Sequence, residues 1–281
     1  MGRLGWHNPG HAAVIALCSL LPWPAEITLR LLQILAGLIA GLATQRLLAR
    51  FASPRVALAG ALVVWLHPVQ LFFRLTLWPV AVSTAGVALL LLALQRVREA
   101  PQEPRRALDL AAVCALLPLW WPAALGGLLL LPLALVRWAP TRRAGIRLAL
   151  RTLSPALLVT LLSSLLATAT LGTPSVLGLS GPENLALGNN PFIPPGRGSS
   201  LHDAGSVERL RFEAARPCPV GQGALTVRCV AREHRRIAGE TIAADPRGAV
   251  GRAMLRVVET WAPDDFVARH LADPRIEVAL P

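Results

Sequence analysis

Apolar residues run in long, nearly unbroken blocks through the first 172 positions, with polar residues confined to short intervals between them. A helix needs about 20 apolar residues to cross a hydrocarbon core. Blocks that meet or approach this length are Ile27–Leu48, Val56–Phe73, Pro79–Leu94, two that share Leu108–Trp138 on either side of Trp120-Trp121-Pro122, and Ile146–Leu171. A shorter block, His11–Leu21, precedes them and is stopped by Pro22 and Pro24, because proline cannot continue a helix ladder. The pattern predicts a mainly α polytopic membrane protein with about six transmembrane helices. A short outer juxtamembrane helix lies before them. The pair within Leu108–Trp138 has room only for short or tilted spans.

Past Leu171 the pattern changes. Gly and Pro turns open the tail, which reads as irregular through Ser200. Val207–Ala215 reads as a short helix, and Cys218–Val230 as a hairpin around Gly221-Gln222-Gly223. Val230–Ala244 and Pro246–Trp261 read as amphipathic helices separated by Asp245-Pro246. The predicted organisation is a juxtamembrane segment 1–26, a transmembrane domain 27–172 and a mixed α/β tail domain 173–281.

Composition sharpens this picture. Hydrophobic residues make up 54 %, charged residues 16 %, and the mean hydropathy is +0.52. Disorder, collagen, coiled coil and an ordinary soluble enzyme are excluded. The net charge of +12 would suit a nucleic-acid partner, but its distribution does not. Residues 1–172 hold 15 Arg against 4 acids (Glu26, Glu99, Glu103, Asp109), and the remainder holds 13 Arg against 12 acids. Twelve of those 15 lie in three loops: Arg46, Arg50 and Arg55; Arg96, Arg98, Arg105 and Arg106; and Arg137, Arg142, Arg143, Arg147 and Arg151. Each loop is two predicted spans from the next, so all three can be cytoplasmic together, as the positive-inside rule requires. The tail is then extracytoplasmic. No cleavable signal peptide is evident, since Met1–Gly10 carries only Arg3 and ends in Asn-Pro-Gly.

No acid falls near the middle of a predicted span, which counts against a proton-coupled transporter. Arg30 and Arg74 stand apart from the cytoplasmic clusters, near the outer surface. There a guanidinium can grip a lipid phosphate through paired hydrogen bonds or snorkel to the headgroups. His7 and His11 flank a polar turn, and His67-Pro68 comes late in its span. Trp120 and Trp121 suit an interfacial aromatic belt. Cys218 and Cys229 flank a predicted turn outside the cytoplasm, where such a pair oxidises to a disulfide. Only His234 is near them, with the wrong spacing for a zinc finger. Cys18 and Cys114 read as small packing residues. Gly188-Asn189-Asn190-Pro191 is a compact turn whose amides suit sugar hydroxyls or a phosphate.

Together these elements resemble the bacterial dolichyl-phosphate-mannose–protein mannosyltransferase-like family of the glycosyltransferase C superfold. His7-Asn8-Pro9-Gly10 with the apolar stretch after it is similar to that family's "HPP-hydrophobic" element. Arg30-Leu31-Leu32-Gln33 with Gly37 and Gly41 resembles its "RLLQ…G" span start, and Leu66-His67-Pro68 its "L-hydrophobic-P-P" element. Asn184-Leu185-Ala186-Leu187-Gly188-Asn189-Asn190-Pro191 is similar to its outer-loop "GLNLWLGNNP" motif, the most specific of the set. Ala238–Trp261 resembles the helix pair that follows.

The resemblance implies sugar transfer from a polyprenyl-phosphate donor at the outer face of a bacterial inner membrane, to an acceptor it does not specify. Arg30 and Arg74 would hold the phosphate, and His7, Asn189 and Asn190 would line the substrate site. It demands no cofactor and leaves room for a divalent metal, although the residues outline no metal site. The family's acidic base lies on a first outer loop before the HPP stretch, so it is expected upstream of Met1. Asp203, Glu183 and Glu26 are the substitutes within this chain. Trp78-Pro79 and Trp121-Pro122 replace acid- and Arg-containing family elements, and the usual Arg-Asn pair is not visible in Leu165–Gly172. The alternative expectation is a non-catalytic truncated or degenerate relative acting as a scaffold or lipid binder.

Overall fold

The computed structural model describes residues 9–67, 70–71, 80–121, 124–171, 185–193, 218 and 224–261. Every regular element among them is a helix. The chain divides into two compact units, one holding the described residues up to Thr168 and the other those from Ala169 onward.

In the first unit, α1 (Pro9–Cys18) precedes α2 (Ala25–Leu48), α3 (Pro54–Leu66), α4 (Val80–Glu99), α5 (Pro104–Trp120), α6 (Ala124–Leu128), α7 (Leu131–Trp138) and α8 (Arg142–Leu171). Pro54 and Pro104 sit in the first turns of their helices, where the missing N–H costs nothing. Among the described residues three helices are long and apolar enough to cross a membrane: α2, α4 and α8. The expectation of about six spans is corrected accordingly, and the cause is local. His67 precedes Pro68 and adopts φ −57°, ψ 125°, so α3 stops after 13 residues. Trp121 precedes Pro122 and ends α5 in the same way, at φ −139°, ψ 87°. The next apolar block is split into α6 and α7, with Gly126-Gly127 before the break and Pro132 after it.

Small residues let α2 pack closely on its neighbours. Ala36 and Ala40 of α2 meet Ala81 and Ala85 of α4, with Val64 of α3 against them. Gly37 and Gly41, four residues apart on α2, receive Trp65 of α3, whose Nε1 donates to the Gly37 carbonyl at 2.9 Å. A Cβ at Gly41 would lie 2.9 Å from Trp65 Cδ1. Two apolar surfaces in lipid gain little hydrophobic energy by meeting, so this close van der Waals contact and the interhelical hydrogen bond carry the association. A second core gathers Ala93 and Val97 of α4, Leu110 and Cys114 of α5, Leu131 and Leu135 of α7, and Leu148, Ala149 and Ala156 of α8. Leu157, Leu158, Leu161, Leu162, Leu165 and Leu166 of α8 are exposed, as a lipid-facing surface would be.

In the second unit α9 (Ala224–Ala244) is followed by α10 (Pro246–Trp261). Asp245 separates them: its Oδ1 accepts from the Gly248 N–H at 2.8 Å, capping α10, and Pro246 fills the first turn. The mixed α/β tail is also corrected. The expected hairpin at Cys218–Val230 is not formed, since residues 224–230 are the first two turns of α9 and no strand occurs among the described residues. The hairpin rested on Gly221-Gln222-Gly223 as a turn. The buried positions Ala231, His234 and Ala238 continue a helical period that overrides it. The helix expected at 207–215 lies outside the described residues.

Candidate functional site

Helix α2 brings together two of the residues singled out in the sequence. Glu26 and Arg30 are one turn apart in its first two turns, and Arg30 Nη2 donates to Glu26 Oε1 at 2.5 Å. Glu preceding Arg by four residues is the favourable order, and a carboxylate near a helix N-terminus complements its dipole. The pair is partly open, with side-chain exposures of 50 % for Glu26 and 35 % for Arg30, so its own stabilising effect is small. The guanidinium Nε of Arg30 is nevertheless buried and makes no hydrogen bond within the protein. A guanidinium presents its donors as a planar fork suited to phosphate. Arg30 is thus anchored on one side and has donor capacity on the other.

Other polar side chains lie among the apolar helices of this unit. Gln33 is buried one turn further along α2. His11, on α1, is 4 % exposed and meets Trp120 edge to face, with ring centroids 6.3 Å apart. That contact assigns Trp120 a packing partner within the bundle. Gln70 Nε2 donates to Thr84 Oγ1 at 3.1 Å.

The opposite ends of α2, α4 and α5 carry a different arrangement. Glu99 pairs with Arg50 and, at 3.5 Å, with Arg106. Arg106 also holds Glu103 at 2.5 Å and donates to the Arg96 carbonyl at 2.8 Å, while Arg96 reaches Asp109 at 3.7 Å. This network joins three helices through the arginines of the first two basic loops.

The second unit holds the Asn-Asn-Pro turn. Ala186 and Leu187 pack against Ile237 and Ala238 of α9, with Phe192 alongside. Asn190 is a structural residue: its Nδ2 donates to the carbonyls of Ala186 and Leu187, at 2.9 and 3.3 Å, and its Oδ1 accepts from the Phe192 N–H at 2.9 Å. Asn189 differs. Its Nδ2 donates to the Leu185 carbonyl at 3.0 Å, which fixes the amide orientation, yet its buried Oδ1 accepts nothing within the protein. Glu233 and His234 are buried on the same helix that receives the turn. Glu233 accepts from Arg236 Nε at 2.8 Å, and Glu233 first, then Glu240, hold that guanidinium above its usual pKa. Burial of Glu233 and His234 was not foreseen. Their spacing to Ile237 and Ala238 along α9 was the available signal.

Cys218 and Cys229 are joined in a disulfide with Cα atoms 5.7 Å apart, and Cys18 and Cys114 are buried free thiols. His7, Arg74, Glu183 and Asp203 lie outside the described residues. Among the described residues no three His, Cys, Asp or Glu side chains come together as a metal would need.

Fold and site define a helical protein in which three of the described helices are long and apolar enough to cross a membrane, compatible with a multi-pass arrangement, and with a second helical unit that bears a buried amide turn. Comparison with protein-family models, curated proteins and solved structures finds no match to the chain.

Proposed function

We propose that the chain is a glycosyltransferase-C-like protein of a bacterial inner membrane that binds a polyprenyl-phosphate sugar at the outer face. On this reading the basic loops are cytoplasmic and the unit beyond Ala169 is extracytoplasmic. The observation that carries the reading is Arg30. It lies at the end of α2 away from the basic loops, held by Glu26 at 2.5 Å, with a buried Nε–H that has no partner in the protein. A phosphate at this position would accept from that donor.

In the transfer step the anomeric carbon–phosphate oxygen bond breaks and a bond to the acceptor oxygen forms. The acceptor proton passes to a carboxylate, and polyprenyl phosphate departs with added negative charge beside Arg30. Among the described candidates Glu26 is the carboxylate next to that charge. Its engagement by Arg30 supports the second reading, a lipid-phosphate binder without turnover.

The test uses the full chain in lipid nanodiscs with radiolabelled polyprenyl-phosphate sugars. Retention of the lipid that is lost in Arg30→Ala supports the phosphate site. Consumption of the donor that is lost in Glu26→Gln supports catalysis, and retention without consumption supports the binder. Failure to retain polyprenyl phosphate, or retention indifferent to Arg30→Ala, overturns the proposal.

A further inference from the structure

Helix α10 carries an apolar stripe that its own unit does not cover. Val250 is 65 % exposed and Met254, one turn on, 61 %. In the sequence apolar residues recur in the same register at Val258 and Trp261. Exposed Arg247 stands three residues before Val250 and flanks the stripe, whereas Gly248, Ala249 and Arg252, on the other side of the helix, are partly covered. Leu255 is 38 % exposed as well, and among the described residues of α10 only Gly248, Ala249 and Arg252 are partly covered, so the two large apolar side chains open to this degree mark a contact surface rather than a core.

The charge around it indicates what that surface meets. Between residues 224 and 261 seven Arg stand against four acids. Arg228, Arg232 and Arg236 are exposed at four-residue intervals in one line along α9; Arg236 is shared with Glu233 and Glu240 and Arg232 reaches Glu233 at 3.7 Å, so the line keeps only part of its charge for a partner. A second copy of this chain would bring like charges together, and an apolar stripe has no use for an acidic soluble peptide. An anionic lipid surface satisfies both features, since arginines meet phosphates and the apolar side chains reach the acyl boundary. Such a surface is also within reach, because the unit is joined to α8, a helix apolar and long enough to cross a membrane. We propose that α10 is an interfacial helix, lying in the headgroup region of the membrane from which α8 emerges, with Val250 and Met254 inserted and Arg247 at the phosphates. This docking requires no sugar transfer and stands apart from the reading of Arg30.

The experiment places an environment-sensitive fluorophore on single cysteines of the full chain, with Cys18 and Cys114 replaced by Ala. Val250→Cys and Met254→Cys report on the stripe. Gly239→Cys, on open α9 surface where a Cβ meets nothing within 4 Å, is the aqueous reference. In vesicles of equimolar phosphatidylcholine and phosphatidylglycerol, the labels at 250 and 254 should emit to the blue of that at 239. They should be quenched by lipid-attached spin labels and lose quenching by aqueous iodide. Arg247→Glu should weaken the lipid quenching at 254 in the anionic vesicles more than in phosphatidylcholine alone. Emission and iodide quenching at 254 equal to those at 239 would overturn the proposal. So would protection from iodide without lipid quenching, which would mean that protein covers the stripe.

Discussion

Replacing Gly41 by Ala isolates the packing that joins α2 to α3. The added Cβ would stand 2.9 Å from Trp65 Cδ1 and 3.1 Å from its Nε1, closer than carbon atoms tolerate. The indole is tethered by its bond to the Gly37 carbonyl, so it cannot withdraw without losing that bond. Overpacking of this kind costs about 1–3 kcal/mol. An interhelical hydrogen bond within a membrane adds about 0.6 kcal/mol. In a water-soluble helix the change from Gly would return nearly 1 kcal/mol of helix propensity. In a bilayer the separated helices remain helical, so that return is largely absent. The expected loss is therefore about 2 kcal/mol, close to a 30-fold change in the folding equilibrium. Detergent-titrated unfolding of the full chain in bicelles, followed by tryptophan emission, measures it. Trp65→Phe alone should cost less, because it loses the hydrogen bond to Gly37 and part of the ring without any overpacking. In that background Gly41→Ala should lose most of its effect. A Gly41→Ala protein as stable as the parent, or equal Gly41→Ala costs with and without Trp65, would refute this account of the interface.

Alkaline phosphatase fused after Pro281 should be active, and a cytoplasmic reporter there inactive; the reverse pattern would invert the proposed orientation. Peptide mapping without reductant should recover the Cys218 and Cys229 peptides linked. Reduction should destabilise the second unit by about 3 kcal/mol for a loop of this length, and free thiols at both positions in membrane-derived protein would count against the bond. Asp245→Ala should cost about 1 kcal/mol through loss of the α10 cap, read as a lower thermal midpoint of the second unit, while Asp245→Asn should retain most of that stability.

The boundaries legible in the sequence were those set by residues that act locally. Ile27–Leu48 anticipates α2, and Asp245-Pro246 fixes the start of α10, because a cap and a first-turn proline need only their own helix. The span count went astray where the same local rule was applied too loosely. His67 precedes a proline, and hydropathy summed across it runs through a backbone that cannot remain helical, whereas the block after Pro122 is divided again into two short helices. In the tail, Val230–Ala244 was legible as a helix, but Gly221-Gln222-Gly223 suggested a hairpin over the first two turns of α9, and the burial of Ile237 and Ala238 depends on the 185–193 turn packed against them. At the site, Glu26 and Arg30 were each evident as charges beside apolar sequence, and their four-residue spacing allowed the pairing to be read. The different duties of Asn189 and Asn190 were not legible. Identical side chains at adjacent positions are told apart only by which carbonyls the folded turn presents to them.

The ion pairs that link α2, α4 and α5 separate in time two roles of the same arginines. Arg50 and Arg106 can meet Glu99, and Arg96 can meet Asp109, only after the helices that carry them have assembled. On the proposed orientation, every arginine of these loops would still be available during insertion to hold its end of a helix on one side of the membrane. Assembly then neutralises part of that charge against acids carried by the same helix ends. On that orientation the folded protein would present to the lipid headgroups a weaker positive field than the nascent chain did. Its orientation would be decided by a charge that the finished molecule no longer fully displays, and anionic lipid should matter more for inserting this protein than for keeping it folded.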